Sequence, residues 1–250
     1  MLKKSDIEAV IRNPGRIRVY YQPVVNLTSG RLWGYEALVR SEGILAKPGR
    51  LFKSTAAWGL LGELDTACFL AALAGGYPPE GYLSVNVTAA GLVDIDAGAY
   101  ANPRLVIELT EYGLRDIQQL TGALSAWRGK GARIAIDDVG PDIGQVRAAL
   151  HLRPDFVKID RSLVRGCDCH VSNRLLLAQA LEVCRYLGAE VIAEGIEKPG
   201  ELKTLRDLGV EYGQGYLLGK PQPGWGKVCV MAGEGDDSPE GEDGDRPHRP

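Results

Sequence analysis

Eight short apolar stretches recur along the chain, and each carries at least one polar side chain among its hydrophobic residues. They are RVYYQPVV, WGYEALVR, YLSVNVT, RLVIELTE, RIAIDDV, FVKID, EVIAEGIE and YGQGYLLG. Stretches of this length and hydrophobicity predict buried β-strands. A charged residue inside such a strand is costly unless it is paired or binds a ligand, so the recurrence predicts a functional site.

Segments with helical spacing separate most of these strands. They are LFKSTAAWGLLGELDTACFLAALAGG, QQLTGALSAWRGKG, QVRAALHL, RLLLAQALEVCRYLG and ELKTLRDLG. In the fourth segment, the spacing of Leu175, Ala178, Leu181 and Leu187 predicts one buried helix face. The alternation of strands and helices indicates a parallel sheet, and eight strands predict an α/β fold of the (β/α)8 TIM-like barrel type.

The connection between the first two strands departs from this scheme. Only NLTSGRL separates them, whereas parallel neighbours need a crossover of about a dozen residues or more. We therefore predict an antiparallel first strand, joined to the second by a turn around Ser29 and Gly30. This reversal places Gln22, early in its strand, at the same barrel mouth as the polar residues late in the other strands.

Composition and charge limit the ligands that the chain can bind. The 250 residues are 45% hydrophobic, with a formal net charge of -3 and a pI near 5.7. Nucleic-acid polymers and anionic membranes require a basic surface, so we expect neither as a partner. The beginning of the chain lacks the apolar core of a signal peptide, and the longest uncharged stretch, residues 66–79, is too short to span a bilayer. The five scattered cysteines indicate reduced thiols, and we expect a cytoplasmic protein.

The composition changes at Met231. Residues 231–250 are rich in Gly, Pro, Asp and Glu and show no apolar periodicity. Such a segment has nothing to bury, so we predict a disordered acidic tail. The barrel domain is accordingly predicted to comprise residues 1–230.

The polar residues of the predicted strands suggest a metal site, because functional groups in a (β/α)8 barrel lie at the carboxyl ends of the strands. The oxygen donors are Glu36, Asn86, Glu108, Asp137, Asp138 and Glu194. All-oxygen ligands select hard ions such as Mg²⁺ or Mn²⁺. The adjacent aspartates can serve two ions at once, an arrangement typical of phosphodiester hydrolysis.

Other polar residues of the strands complete this interpretation. Lys158 is placed to orient a water molecule, and Arg40 to bind a phosphate. Each residue taken singly also has a structural alternative. These alternatives are an ion pair between Glu36 and Arg40, a capping turn at Asp137 and Asp138, a salt bridge between Lys158 and Asp160, and hydrogen bonds from Gln22 and Gln214 to backbone groups. The conjunction of these residues, strand by strand, favours a site.

The chain resembles the EAL family of cyclic di-GMP phosphodiesterases from about Arg18 to Pro223. The Glu-Ala-Leu that names the family is present at residues 36–38, and further blocks follow the family order. The blocks are YYQPVV, EALVR, SVNVT, IELTE, IDDVG, VKID, AEGIE and QGYLLGKP. The resemblance implies metal-dependent hydrolysis of cyclic di-GMP to linear pGpG, with two Mg²⁺ or Mn²⁺ ions.

The resemblance also implies a role for each matching position. The residues that hold or contact the metals are Glu36, Asn86, Glu108, Asp137, Asp138 and Glu194. Lys158 is expected to contact the catalytic water, so it joins Glu36 and Glu194 as a catalytic residue. Gln22, Arg40 and Gln214 are expected to bind the nucleotide. Glu111 matches the residue that anchors a mobile active-site loop.

One block departs from the family pattern. After the paired aspartates the family usually continues Phe-Gly-Thr-Gly-Tyr-Ser-Ser-Leu, whereas residues 139–146 read VGPDIGQV. We expect this change to weaken metal binding and turnover more than nucleotide binding. It leaves open a second function, a weak or inactive module that senses cyclic di-GMP, and a third, a protein-interaction scaffold. The family often pairs through the region after this loop, so a homodimer is a further expectation.

Overall fold

Eight β-strands lie where the apolar stretches predict them. The computed structural model describes residues 2–40, 48–110, 117–139 and 151–226. Within these ranges the strands are β1 (Arg18–Asn26), β2 (Leu32–Arg40), β3 (Tyr82–Val87), β4 (Leu105–Leu109), β5 (Arg133–Val139), β6 (Phe156–Ile159), β7 (Glu190–Ala193) and β8 (Tyr212–Gly213). They pair in sequence order and close into a barrel. The predicted TIM-like α/β fold is confirmed.

Helices occupy most of the connections. In the described part of the chain they are α1 (Lys4–Ile11), α2 (Pro48–Ala57), α3 (Leu61–Ala74), α4 (Ala89–Asp94), α5 (Ala97–Tyr100), α6 (Ile117–Gly129), α7 (Arg161–Val164), α8 (Val171–Leu187) and α9 (Pro199–Asp207), with a 3-10 turn at Pro14–Arg16. The longest predicted helix is divided into α2 and α3, because Gly59 in the break has a φ of +68°, a value outside the helical range. No helix within these ranges combines the length and the apolar character that crossing a membrane requires.

The first strand runs antiparallel to both of its neighbours, β2 and β8, while the remaining adjacent pairs are parallel. The Asn26 side-chain oxygen accepts hydrogen bonds from the backbone N–H groups of Thr28 (3.2 Å) and Ser29 (2.8 Å), and Gly30 has a φ of +67°. These features form the tight turn between β1 and β2. The reversal brings Gln22 into register with Glu36, as the short connection predicts.

The barrel interior has an apolar floor beneath a polar layer. Val106, Ala135, Phe156 and Ile192 are buried together with Val24 and Trp33 in one cluster. The first four of these residues lie two positions before Glu108, Asp137, Lys158 and Glu194, respectively. Because side chains on one face of a strand recur every second residue, the same strands that build the floor also deliver the polar groups above it.

One sequence prediction for α8 is wrong. Leu175, assigned to the buried face, is 61% exposed. The buried residues of α8 are Leu177, Leu181 and Cys184. The segment has three consecutive leucines, so apolar spacing alone does not fix which of them faces the barrel.

Several predictions fall outside the described residues. They concern Glu111, residues 140–146 of the altered loop, and the tail at 231–250. The side chains of Asp138 and Val139 also lie outside the description. The domain boundary at residue 230 therefore stays a prediction.

Candidate active site

Lys158 is the centre of the polar layer at the carboxyl end of the barrel. Its side chain is 1% exposed, and its Nζ lies 2.6 Å from Glu194 Oε1 and 2.8 Å from Glu108 Oε2. Glu36 Oε2 lies 3.2 Å and Asp137 Oδ1 3.3 Å from the same nitrogen. Four carboxylates from four different strands or strand ends thus converge on one buried ammonium.

Neutral side chains fix the orientation of Glu36. Asn86 Nδ2 donates to Glu36 Oε1 at 2.8 Å, and Gln214 Nε2 donates to Glu36 Oε2 at 2.8 Å. Gln214 Nε2 also lies 2.9 Å from Gln22 Oε1, and Gln22 Nε2 donates to the Gly219 carbonyl at 3.0 Å. Both carboxylate oxygens of Glu36 are therefore held in place by the residues that the sequence predicts for metal and substrate binding.

Ser84 is a contributor that the sequence analysis missed. It is fully buried on β3, two residues before Asn86, and its hydroxyl donates a hydrogen bond to Glu108 Oε1. The other oxygen of Glu108 accepts from Lys158. Ser84 therefore holds Glu108 in the orientation that faces the lysine.

The cluster has more negative than positive charge. Four carboxylates surround one ammonium, which leaves three formal negative charges in a buried place. Burial, together with the charges of Glu36 and Asp137, raises the pKa of Glu108 well above its usual range. Burial and the neighbouring carboxylates likewise raise the pKa of Glu194 to about 8. Additional cations would relieve this repulsion.

The pKa values of two members of the cluster shift in the direction that favours the charged form of the side chain. Burial acts to raise the pKa of Glu36, but the charge of Lys158 and the hydrogen bonds from Gln214 and Asn86 outweigh it and lower this pKa. Burial acts to lower the pKa of Lys158, but the surrounding carboxylates raise it well above its usual value. The glutamate and the lysine consequently form an ion pair at the centre of the site.

The donor chemistry of the cluster fits a hard divalent cation, since carboxylate and amide oxygens are the ligands that such ions prefer. The Asn86 nitrogen is engaged with Glu36, which leaves its amide oxygen as the atom able to face a cation. As they stand, no three His, Cys, Asp or Glu side chains of the described ranges are grouped to hold a metal ion, because the carboxylates turn to Lys158.

A cavity of about 390 Å³ opens above the cluster. Its lining includes most of the predicted site residues: Gln22, Glu36, Arg40, Asn86, Asp137, Glu194 and Gln214. It also includes Arg161, Glu197 and Tyr216, which the sequence analysis missed. These three lie two to four residues beyond the ends of β6, β7 and β8, so their positions after predicted strands were the available signal.

The structure decides between several of the alternatives. Glu36 pairs with Lys158, while the Arg40 guanidinium donates to the Val39 carbonyl at 3.0 Å. Asp160 caps α7 by accepting from the backbone N–H of Ser162 at 2.9 Å, so a salt bridge with Lys158 is not its role. Gln22 donates a hydrogen bond to a backbone carbonyl, which agrees with its structural alternative, and it also accepts a hydrogen bond from Gln214.

A buried carboxylate joins two loops of the mouth. Glu201 on α9 is fully buried, and its Oε1 accepts from the backbone N–H of Gly166 at 2.9 Å. Its Oε2 accepts from the backbone N–H groups of Glu197 and Lys198, each at 3.0 Å. Glu201 thereby ties the loop after β7, which carries Glu194, to the segment after β6.

Comparisons with known proteins identify the family of the chain. The sequence profile of the EAL domain family matches residues 7–221. NbdA of Pseudomonas aeruginosa, a cyclic di-GMP phosphodiesterase, is 32% identical over 231 residues, covering 83% of this chain and 29% of NbdA. PdeB of Escherichia coli, a probable cyclic di-GMP phosphodiesterase, is 28% identical over 225 residues, covering 83% of this chain and 43% of PdeB. The chain spans less than half the length of either relative.

Solved structures of related proteins have the same fold as this chain. The calcium and cyclic di-GMP complex of BlrP1 from Klebsiella pneumoniae superposes with a TM-score of 0.74 at 27% identity, covering 86% of this chain and 58% of BlrP1. Its manganese and cyclic di-GMP complex gives a TM-score of 0.73, also at 27% identity, covering 85% and 58%. With the profile match over most of its length, the chain belongs to the EAL domain family.

Proposed function

We propose that this protein hydrolyses cyclic di-GMP to linear pGpG with the help of Mg²⁺ or Mn²⁺. The observation that carries the proposal is the buried cluster of Glu36, Glu108, Asp137 and Glu194 around Lys158, which opens into the cavity at the barrel mouth. Its excess negative charge suits divalent cations. The relatives named as cyclic di-GMP phosphodiesterases, and the neighbour solved with cyclic di-GMP and manganese, support the substrate and the kind of ion.

The residues proposed to hold two metal ions are Glu36, Asn86, Glu108, Asp137, Asp138 and Glu194. Bound ions of this kind activate water and stabilise the leaving oxygen of a phosphodiester. The nucleotide would be oriented by three residues that line the cavity, Gln22, Arg40 and Gln214. Their side chains offer amide and guanidinium donors to its polar groups. Glu111 remains a proposed loop anchor on the strength of its sequence match.

Lys158 has a distinct role in this proposal. Its ammonium lies among the carboxylates, so it is a hydrogen-bond donor and a fixed positive charge rather than a proton acceptor. It would orient the attacking water and offset the negative charge that develops at phosphorus. A preorganised donor of this kind contributes mainly to the transition state.

A second candidate function is a module that binds cyclic di-GMP without turning it over. The altered sequence at residues 139–146 favours it, because the family's Thr and Ser hydroxyls are replaced directly after the paired aspartates. In this case the same cavity binds the nucleotide, and the displaced metal ligands fail to support turnover.

Location and assembly belong to the proposal as well. The cysteines found in the described ranges are free thiols, a state that fits a reducing compartment and therefore a cytoplasmic enzyme. Pairing of two copies is proposed from the family resemblance. Sedimentation of the purified chain would show whether it forms a dimer.

One incubation separates the candidate functions. The protein is mixed with cyclic di-GMP and either Mg²⁺ or Mn²⁺, and the products are resolved by chromatography while binding is measured in parallel. Formation of pGpG supports the enzyme, and binding without product supports the sensor. Absence of both would contradict the proposed function and leave the scaffold.

A further inference from the structure

Arg161 lies at the rim of the active-site cavity, three residues after Lys158. It is exposed, begins α7 and belongs to the cavity lining. The preceding residue, Asp160, caps the helix by accepting from the Ser162 N–H at 2.9 Å, and the Arg161 carbonyl accepts from the Arg165 N–H at 2.8 Å. The backbone that presents this guanidinium is therefore fixed to the strand that presents Lys158.

The stem of Arg161 packs against the turn that carries Glu194. Gly195 has a φ of +71°, and a methyl group added to it would lie 2.5 Å from Arg161 Cβ. The absence of a side chain at Gly195 is what permits this close approach. The contact fixes the stem of Arg161 against the residue that follows Glu194, at the lining of the cavity.

Arg40 and Arg161 both line a cavity rich in carboxylates, yet neither forms an ion pair within 4.0 Å with any acidic group in the described ranges. The carboxylates of the cluster are instead directed at Lys158. An arginine that lines an acidic cavity without such a pair is placed to receive an anionic ligand, since its fork of N–H groups matches phosphate oxygens.

The two arginines come from opposite sides of the mouth. Arg40 ends β2, and Arg161 follows β6 by two residues. Strands β2 and β6 are four strands apart in the closed barrel of eight, so they face each other across it. A ligand that engages both guanidiniums must extend across the cavity and carry separate anionic groups.

We propose that Arg161 binds the phosphate of the cyclic dinucleotide that is not cleaved, and that it makes the site selective for a two-phosphate ring over a single phosphodiester. This inference rests on the proposed function, which places the cleaved phosphate at the carboxylate cluster. Arg161 is thus a substrate-binding residue that acts on affinity and specificity, whereas Lys158 and the carboxylates act on the bond that breaks.

The test compares two substrates in the presence of Mn²⁺: cyclic di-GMP, which has two phosphates, and bis(p-nitrophenyl) phosphate, which has one. In Arg161→Ala, kcat/KM for cyclic di-GMP should fall about 10- to 100-fold, mostly through KM, which is the loss expected for a hydrogen-bonded charged contact. The value for bis(p-nitrophenyl) phosphate should not change. Arg161→Lys should recover part of the loss, because it keeps the charge without the fork.

Arg165→Ala is the matched control, since Arg165 is an exposed arginine at the end of the same helix and outside the cavity lining. It should leave both substrates unaffected. Equal losses on both substrates in Arg161→Ala, or no loss on either, would overturn the inference.

Calorimetry with cyclic di-GMP and Ca²⁺ separates the proposed hydrolytic activity from the proposed phosphate contact of Arg161. If the wild type binds cyclic di-GMP in Ca²⁺ but forms no pGpG with Mg²⁺ or Mn²⁺, the proposed activity fails. A roughly 10- to 100-fold weaker affinity of Arg161→Ala would in that case still support the phosphate contact. Unchanged affinity would overturn the inference alone. A wild type that neither binds nor hydrolyses cyclic di-GMP overturns both claims.

Discussion

At the scale of single residues, the position of Lys158 explains both its charge and its importance. A buried ammonium is costly unless it is paired, and the four surrounding carboxylates provide more than one partner. Removing one partner from a buried ion pair leaves uncompensated charge, which is more harmful than replacing both. The lysine and the carboxylates therefore depend on each other in the metal-free protein.

Lys158→Ala should lower turnover of cyclic di-GMP by about 100- to 1000-fold, the usual effect of removing a donor that acts on the transition state. Nucleotide affinity should change less. The variant should also melt at a lower temperature without metal, because four carboxylates lose their shared cation, and Mn²⁺ should restore much of that loss. Steady-state kinetics and thermal melts with and without Mn²⁺ measure these effects.

Lys203→Ala is the control for this variant, because Lys203 is 77% exposed and pairs with Asp207 at the protein surface. Exposed pairs of this kind contribute little to stability. Equal losses of turnover and affinity in Lys158→Ala would mean that Lys158 serves in binding rather than in catalysis.

The sequence was sufficient to predict which residues share the barrel mouth, but it did not predict how they pair. Gln22 and Glu36 follow from a short turn and strand alternation, which are local properties. The four contacts of Lys158 depend on barrel closure and on side-chain direction, which are not local. Arg161 and Tyr216 were missed because exposed residues after strand ends carry no burial pattern that marks them.

At the scale of elements, the site depends on contacts between the loops that follow the strands. Glu201 makes one such contact, between the loop after β7 and the segment after β6. Glu201→Gln should lower the free energy of unfolding by about 1–3 kcal/mol, because an amide cannot accept from all three backbone donors and at least one buried N–H loses its partner. Urea denaturation measures this change. Asp207→Asn on the same helix, which breaks only an exposed pair, should have an effect near zero; a matching loss there would argue against a special role for Glu201.

Asp65 joins α3 to the end of β3 and makes stability depend on pH. It is 1% exposed and accepts from the backbone N–H of Thr88 at 3.2 Å and from the Thr88 hydroxyl. Burial raises its pKa to about 6 despite these hydrogen bonds. The native state therefore holds this proton more tightly than the unfolded state, in which the pKa of the carboxyl is near its ordinary value of 3.8. The contribution of Asp65 to stability must fall as pH rises between these two values.

Asp65→Asn should remove this dependence, because the amide still accepts from Thr88 and never ionises. The variant should melt above the wild type at pH 8, and the difference should diminish as pH falls from about 6 to 4. Thermal melts of both proteins across this range test the prediction. A gap that stays constant with pH would show that Asp65 is not the titrating group.

The elements also show where sequence patterns fail. The apolar run from Leu51 to Ala74 reads as one helix, and its division at Gly59 comes from a backbone conformation that periodicity does not encode. In α8, adjacent leucines make two faces equally apolar, and packing against the barrel selects Leu177 rather than Leu175. Both errors arise because tertiary contacts choose among locally similar solutions.

At the scale of the whole molecule, the barrel is expected to be independent of the acidic tail. Deleting the residues after Val230 should leave turnover and thermal midpoint nearly unchanged, because a segment with so few apolar residues contributes little packing. Activity assays and melts of the shortened chain measure this directly. A marked drop in either would mean that the tail contacts the barrel, and the predicted domain boundary would be wrong.

We propose that the acidic cluster around Lys158 is a divalent-cation site for hydrolysis of cyclic di-GMP. The most direct test is the initial rate of pGpG formation against Mn²⁺ concentration for the wild type and Glu36→Gln. The variant should lose at least about 100-fold in rate. Its metal-free melting temperature should also fall, because an amide cannot accept from both Asn86 and Gln214 and no longer pairs with the Lys158 ammonium. A variant with near-normal turnover that still requires Mn²⁺ would contradict the claim.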